Sequence, residues 1–553
     1  MTVKFSNHHQ DSDPTLDPTS SSKPKAVEIY DTTLRDGNQQ IGVNFSLEDK
    51  LKIANRLNEL GVPYIEGGWP NVTNKAEIAF FKRVKAEGLR SKIMAFTMTR
   101  KPNLRPEKDP NLNVLTKVEA DAVTIFGKSW PLHIKSVLKA SLEENLQMII
   151  SSVEYVRSQG YPVLFDAEHF FDGFKTNPKY AVKTLKAAAG AGAEALILCD
   201  TRGGSLPTDI SEIMRSVRKE VGGLLGIHAH NDRGLATANS LAAVTAGARQ
   251  VQGTINGLGE RCGNANLVEV VGNLELSLGV KTGLNLPLLT SVSNYVYEVA
   301  DVTPNECQPF VGRYAFAHKG GIHVHAVLKQ PNTYESFDPR LLGNTRALAV
   351  SSQAGLASIV NKAREFGFKL DKKDPRAART LRQVKKLEEE GYHFENAEAS
   401  LNLIYAKAMG VDLNYFTLIN WKALVTGAVL GVSAESTVKL KIGKRDSIVA
   451  GEGNGPVNAF DMALRKALEK QHPQISNVKL VGYRVREINV ERGTAAAVRV
   501  VIDFEAEGLR WSTVGVSTNI LKASEQSLTD GYIYYLYKSE VKPLKKWQRR
   551  GKK

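Results

Sequence analysis

Residues 163–199 read VLFDAEHFFDGFKTNPKYAVKTLKAAAGAGAEALILC. Two short apolar runs, 163–166 and 195–199, enclose a helical stretch at 178–189 that opens on Pro178. Proline suits the first helical position, where its missing N–H costs nothing. Strand, helix, strand over this length is one crossover unit, the connection that parallel neighbours need. The alternation continues on both sides. Further candidate strands lie at 27–30, 62–66, 92–96, 122–126, 224–228 and 250–254, with helical stretches such as 47–60, 142–157 and 235–246 between them. Gly61, Gly160 and Gly247 stand close behind helical stretches, as helix ends prefer. Eight strands with their helices in about 250 residues is the count of a (β/α)8 TIM barrel. A doubly wound open sheet would usually show a Gly-rich phosphate turn after its first strand, and none stands after 27–30.

The barrel is assigned to residues 26–290. Residues 291–430 read mostly as helix and loop, a helical linker. Strands return over 431–538 in STVKLKI, NVKLVGYRVREINV, AAAVRVVIDFEAEG and LRWSTVGVST, with helical stretches near 458–469 and 520–535. That pattern is a small α+β domain. Residues 1–25 are rich in Ser, Thr, Asp and Pro and read as a disordered leader; 539–553 is a basic tail.

Composition excludes several function classes. No apolar run reaches the roughly 18 residues of a membrane-spanning helix, and the leader lacks the apolar core of a secretory signal. Cys199, Cys262 and Cys307 lie far apart, which excludes a disulfide framework or a thiolate zinc finger and points to a reducing, cytoplasmic setting. The net charge of +15 invites a nucleic-acid reading. Yet 538–553 and 361–386 each carry +7, so a single net charge remains for the rest of the chain. Blocks of this kind are ordinarily solvated ends and faces, and no nucleic-acid partner is expected.

Chemistry-bearing residues gather where expected strands end. Asp31-Thr-Thr-Leu-Arg35-Asp36-Gly-Asn-Gln39 follows the first strand. His228-Ala-His230 ends the seventh, and residues i and i+2 of a strand face one side, so the two imidazoles can share a metal. A Gly-rich loop carrying Asn264 follows the eighth, Glu168 closes the fifth and Thr201 the sixth. Three histidines, His318, His323 and His325, cluster beyond the barrel. Each feature alone also admits a structural reading: an ion network, polar filling, a plain connection, a surface loop. Together they set acids, imidazoles, a hydroxyl and an amide at the ends of five strands, the barrel-enzyme pattern.

These motifs match a family. DTTLRDGNQ, HAHNDRGLATANSLAAV and GARQVQGTINGLGERCGNANL resemble signatures of the 2-isopropylmalate synthase, homocitrate synthase and citramalate synthase family. FAHKGGIHVHAVLKQPNTYE resembles its linker motif, and GPVNAFDMALRKAL and STVGVSTNILKAS its regulatory domain. The resemblance implies that Asp36, His228, His230 and Asn264 hold a divalent cation, Mg2+, Mn2+ or Zn2+. It implies that Arg35 sits beside the reacting carbonyl, that Glu168 is the active-site glutamate, and that Thr201 contacts the keto-acid carboxylate, with Gln39 also on the substrate side. His323 and Tyr334 resemble linker residues that complete the active site, in the family often that of a partner subunit, which implies a homodimer. VTIFGKSW (123–130) and DAEHFFDG (166–173) are similar to the pyruvate-using branch, with acetyl-CoA as co-substrate and isoleucine as the effector of the C-terminal regulatory domain. One departure is Arg202-Gly-Gly after Thr201, where the family usually has Val-Gly or Asn-Gly.

Overall fold

The computed structural model describes residues 24–540 apart from 72, 349–354, 429–430, 444 and 489–495. The leader (1–25) and the basic tail (539–553) fall, but for two residues each, outside the described residues. The chain divides into two compact units, residues 1–316 with 337–346, and residues 317–336 with 347–553.

The first unit is built on strands β1 (Glu28–Asp31), β2 (Tyr64–Gly68), β3 (Lys92–Met98), β4 (Ala122–Lys128), β5 (Val163–Glu168), β6 (Ala195–Asp200), β7 (Leu224–Ala229) and β8 (Gln250–Gly253). Each pairs in parallel with the next, and β1 closes onto β8 from Glu28↔Gln250 to Asp31↔Gly253. The (β/α)8 barrel that the alternation called for is present. The helix Leu47–Leu60 shows why the local sequence supports it. Ser46 and Asp49 form a reciprocal capping box at its start, and Gly61 ends it at φ +93°, a conformation only glycine adopts cheaply. Its Leu51, Ile53, Ala54, Leu57 and Leu60 are buried.

Alternate strand residues divide between two cores, as a period of two requires. Ile29, Ile93, Phe165, Leu198 and Ile227 join the large cluster with the surrounding helices. Tyr30, Met94, Leu164, Ile197 and Cys199 form a smaller cluster of opposite parity, the barrel interior. Followed toward the C-terminal strand ends, that inward parity runs through Glu66, Phe96, Thr124, Phe126, Asp166, Glu168, His228, His230 and Gln252. The interior is therefore apolar below and polar at the mouth.

Among the described residues the second unit holds four helices, Gly321–Lys329, Leu356–Glu365, Pro375–Glu389 and Glu398–Ala408, and then a doubled motif. Strands Thr417–Ala428, Gly431–Ile442 and Arg445–Gly453 form one antiparallel sheet followed by the helix Pro456–Leu468. Strands Lys479–Glu487, Val498–Ala506 and Leu509–Ser517 form a second, followed by the helix Ile520–Lys538. In each copy a glycine on the third strand lets the helix lie close. A Cβ at Gly451 would meet Ala463 N at 2.5 Å, and one at Gly515 would meet Ala523 O at 2.0 Å. The strand Thr417–Ala428 begins inside residues read as helix and loop, and RDSIVAGEG carries no strand expectation at all. The latter buries Val449 alone, so it has no alternating apolar face to read.

Asp530, on the last helix, gives this unit a pH-dependent term. Its carboxylate accepts the Ser400 hydroxyl at 3.1 Å, and burial pushes its carboxyl up to about 6 against the pull of Lys407. A carboxyl raised in the fold opposes folding once it ionises, so stability is lost as pH rises from about 4 to 6. Asp530→Asn is therefore expected to stabilise the chain at pH 8 by up to about 2 kcal/mol, somewhat less than the full shift because the residue reaches solvent at one edge. Thermal melts at pH 5 and pH 8 check this: the gain should shrink at the lower pH.

Candidate active site at the barrel mouth

The turn after β1 aims its charged pair. The amides of Arg35, Asp36 and Gly37 all donate to Thr32 O, at 3.1, 2.8 and 3.1 Å. Asp31 accepts both the Thr33 amide (2.8 Å) and its hydroxyl (2.9 Å), and Thr33 in turn accepts the Ile255 amide at 2.9 Å, tying the turn to the loop after β8. Arg35 then donates Nε to Glu66 Oε2 (2.8 Å) and Nη1 to Asp36 Oδ2 (3.2 Å), with its guanidinium 3.9 Å from the Phe96 ring centre. Tyr30 donates to Glu66 Oε1 at 3.2 Å and lies 2.7 Å from the Thr124 hydroxyl. Glu66 is fully buried, so this network holds the arginine from below.

Asp36, His228 and His230 converge, all three buried. His228 Nε2 lies 3.2 Å from His230 Nε2 and 3.5 Å from Asp36 Oδ2, and His230 Nε2 is 3.9 Å from the same oxygen. Burial works against ionisation of Asp36, but Arg35 and the two imidazoles outweigh it and hold the carboxyl well below the usual range. The imidazoles separate. Burial opposes charge on both, yet the Asp36 carboxylate raises His228, whereas burial and the neighbouring His228 bring His230 down to about 3.

Orphaned polar atoms mark what this arrangement lacks. Asp36 Oδ1 and Asn264 Oδ1 are buried with no hydrogen-bond partner. Asn264 pairs with His230 in an isolated β-bridge, and its amide nitrogen donates to Leu258 O at 3.2 Å, leaving the oxygen free. The glycines make that loop possible: a Cβ at Gly263 would lie 1.9 Å from Gly257 O. A carboxylate, two imidazoles and an amide oxygen are a mixed N/O donor set that fits a divalent cation with open positions.

Around them is a cavity of about 170 Å3 lined by Arg35, Asp36, Gln39, Asp166, Glu168, Thr201 and the two histidines. Trp69, Phe96 and Phe126 also line it, as an aromatic wall with Phe96 and Phe126 stacked at 5.1 Å and Trp69 edge-on to both. Burial pushes the Asp166 carboxyl up to about 7. Glu168 pairs with Lys128 across β5 and β4. The Thr201 hydroxyl accepts the His169 amide at 2.9 Å. Arg261 clasps Asp232 through two bonds and donates to Thr201 O at 2.8 Å, joining three loops at the rim.

Of the residues singled out from sequence, Arg35, Asp36, Gln39, Glu168, Thr201, His228 and His230 line this cavity. His323 and Tyr334 belong to the second unit, where their rings lie 4.5 Å apart beside His318, which pairs with Glu335 at 3.1 Å. Glu66, Tyr30, Trp69 and Phe96 went unremarked in the sequence, while Thr124, Phe126 and Lys128 stood only inside the motif 123–130 and Gln252 only inside the motif around the eighth strand, none with a role of its own. Parity finds all of them but Trp69: each of the others lies an even number of residues from an inward position on its own strand, whereas Trp69 follows the end of β2.

Comparison with known proteins adds the kinship. Residues 26–296 match the HMGL-like family, 310–392 the homocitrate synthase post-HMGL domain-like family, and 395–536 the LeuA allosteric (dimerisation) domain. The chain is 48% identical to the (R)-citramalate synthase of Geobacter sulfurreducens over 93% of its own length and 98% of that protein. It is 48% identical to the Aquifex aeolicus (R)-citramalate synthase with the same coverage. It is 33% identical to the 2-isopropylmalate synthase of Methanocaldococcus jannaschii over 94% of this chain and 96% of that one. A likeness at this level over almost the full length of both chains places the molecule: it belongs to the (R)-citramalate synthase family.

Proposed function

We propose that this chain condenses acetyl-CoA with pyruvate and water to give (R)-citramalate and CoA. The observation that carries the reading is the convergence of Asp36, His228 and His230 beside the Arg35 guanidinium, in a small cavity with an aromatic wall. Asp36, His228, His230 and Asn264 would hold a divalent cation of the Mg2+, Mn2+ or Zn2+ type, which when bound would polarise the keto group as a Lewis acid. Arg35 provides fixed positive charge where oxygen charge develops, and its two carboxylate partners keep it oriented before substrate arrives. Because Thr201 already accepts the His169 amide, its own proton is free to donate to the keto-acid carboxylate. Gln39, which lines the same cavity, is a further substrate contact. Trp69, Phe96 and Phe126 share the lining of a cavity of only about 170 Å3, a size that favours a methyl over a branched keto acid. His323 is the proposed base for the acetyl methyl proton, with Glu168 and Tyr334 as its proposed helpers. The dimerisation-domain match supports a homodimer, and isoleucine is the proposed effector of the C-terminal domain. Three free cysteines fit a reducing compartment, the cytoplasm.

The test is thiol release from acetyl-CoA by the purified protein with Mg2+ or Mn2+, offering pyruvate, 2-oxoisovalerate and 2-oxoglutarate separately. Release with pyruvate, at about tenfold or more above either alternative, is expected; hydrophobic discrimination of this size is within reach of one or two methylene groups. Release mainly with 2-oxoisovalerate would overturn the substrate assignment in favour of 2-isopropylmalate synthesis. In the same assay isoleucine should slow turnover. A rate indifferent to both isoleucine and leucine would end the sensor reading.

A further inference from the structure

We propose that Gln252, held by Asp166, is a positioning residue that fixes the tautomer of His228 and so presents its Nε2 lone pair to the cation. The inference rests on the metal reading above and deepens it. Gln252 is fully buried on β8. Its Oε1 lies 3.1 Å from His228 Nδ1, and its Nε2 donates to Asp166 Oδ1 at 3.2 Å. In its ionised form, the one that prevails at the pH 8 of the test below, Asp166 only accepts, so it takes the amide nitrogen of Gln252 and turns the amide oxygen toward the imidazole. That oxygen also only accepts, so the proton of the neutral ring must sit on Nδ1.

The consequence falls on the other nitrogen. Nε2 keeps a lone pair, and Nε2 is the atom 3.2 Å from its counterpart on His230 and 3.5 Å from Asp36 Oδ2. With the amide reversed, an N–H would face Nδ1, the ring proton would move to Nε2, and the ligand atom would be blocked. His230 has no such partner: its Nδ1 is buried and unbonded among the described residues. The orientation of the His228 imidazole therefore depends on the two residues behind it, Gln252 on β8 and Asp166 on β5. Such groups behind a metal ligand typically govern about 10–100-fold in affinity.

The test is the Mn2+ dissociation constant of the full chain at pH 8, measured by calorimetry. Gln252→Leu keeps the bulk but not the acceptor, and is expected to weaken Mn2+ binding about 10–100-fold. The exchange variant Asp166→Asn with Gln252→Glu conserves charge and reverses the donor: the amide introduced on β5 donates, and the carboxylate introduced on β8 accepts from it and from His228 Nδ1. It should restore affinity to within about threefold of the parent, a recovery that a packing role would not give. Affinity in Gln252→Leu within about twofold of the parent, or an exchange variant as weak as Gln252→Leu, overturns the inference. His228→Ala separates the two levels. If it abolishes binding while Gln252→Leu does not weaken it, only the positioning role falls. If it also binds Mn2+ as the parent does, the metal reading falls and takes the inference with it.

Discussion

Arg35→Ala is expected to slow CoA release about a hundred- to a thousandfold, the usual loss when one preorganised donor is removed from developing oxygen charge. The geometry gives the reason. The guanidinium is gripped by Glu66 at 2.8 Å and Asp36 at 3.2 Å and lies 3.9 Å from the Phe96 ring centre, so it has little freedom to reorganise during reaction. Its charge lies next to the atoms proposed to take the keto acid, in a cavity it lines. Alanine would also strand two buried carboxylates, and breaking a buried pair from one side typically costs about 3–5 kcal/mol. A fall in melting temperature is therefore expected alongside the kinetic loss. Arg35→Lys separates the two effects. A lysine keeps the charge that Glu66 and Asp36 need, but not the planar fork that meets both at once. It should melt closer to the parent and still turn over about a hundredfold more slowly. Near-parental turnover in Arg35→Ala would remove the residue from the mechanism, and near-parental turnover in Arg35→Lys would reduce its role to charge alone.

Much of this site was open to reading because its residues announce themselves by type and place. Asp36 follows a strand, and His228 and His230 share one face of another, so a barrel brings them together wherever the strand boundaries fall within a residue or two. The residues behind them were not legible for a definite physical reason. Glu66 and Thr124 sit inside short, mostly apolar runs where parallel strands show no polar face, because both faces of a barrel strand are buried, and Gln252 in QVQG gives no sign of the neighbour it will meet. Nothing local says that Glu66 on β2 will lie under Arg35 from the β1 turn. That pairing exists only after the sheet closes. The aromatic wall was hidden in the same way, since Phe96 and Phe126 read as ordinary core until parity places them inward. In the second unit the limit was different. Thr417–Ala428 and Arg445–Gly453 are largely exposed strands held by ladder hydrogen bonds to Gly431–Ile442, and backbone pairing of that kind leaves little trace in side-chain pattern.

His228→Ala is expected to reduce Mn2+ occupancy from about one per chain to a small fraction, a loss beyond the roughly 10–100-fold that follows from removing a partner behind a ligand. The electrostatics of the site add a pH dependence with a definite sign. Without a cation the Asp36 carboxylate is best served by a proton on His228, which is why that imidazole is raised above its ordinary value while its neighbour is lowered to about 3. A cation must displace that proton, since only neutral imidazole ligates. Below the raised value of His228, each unit fall in pH should therefore cost up to about tenfold in apparent affinity, one proton leaving per cation bound. Above it, affinity should level off. Calorimetry in buffers of different ionisation enthalpy counts the released proton directly. A release near zero below that raised value would mean that the cation does not compete for His228. In Asp36→Asn the same imidazole loses the charge that raises it, so the onset of binding should move to lower pH even as the maximal affinity falls. The two effects have opposite signs on one curve, and a variant that simply loosened the barrel mouth would show the second without the first.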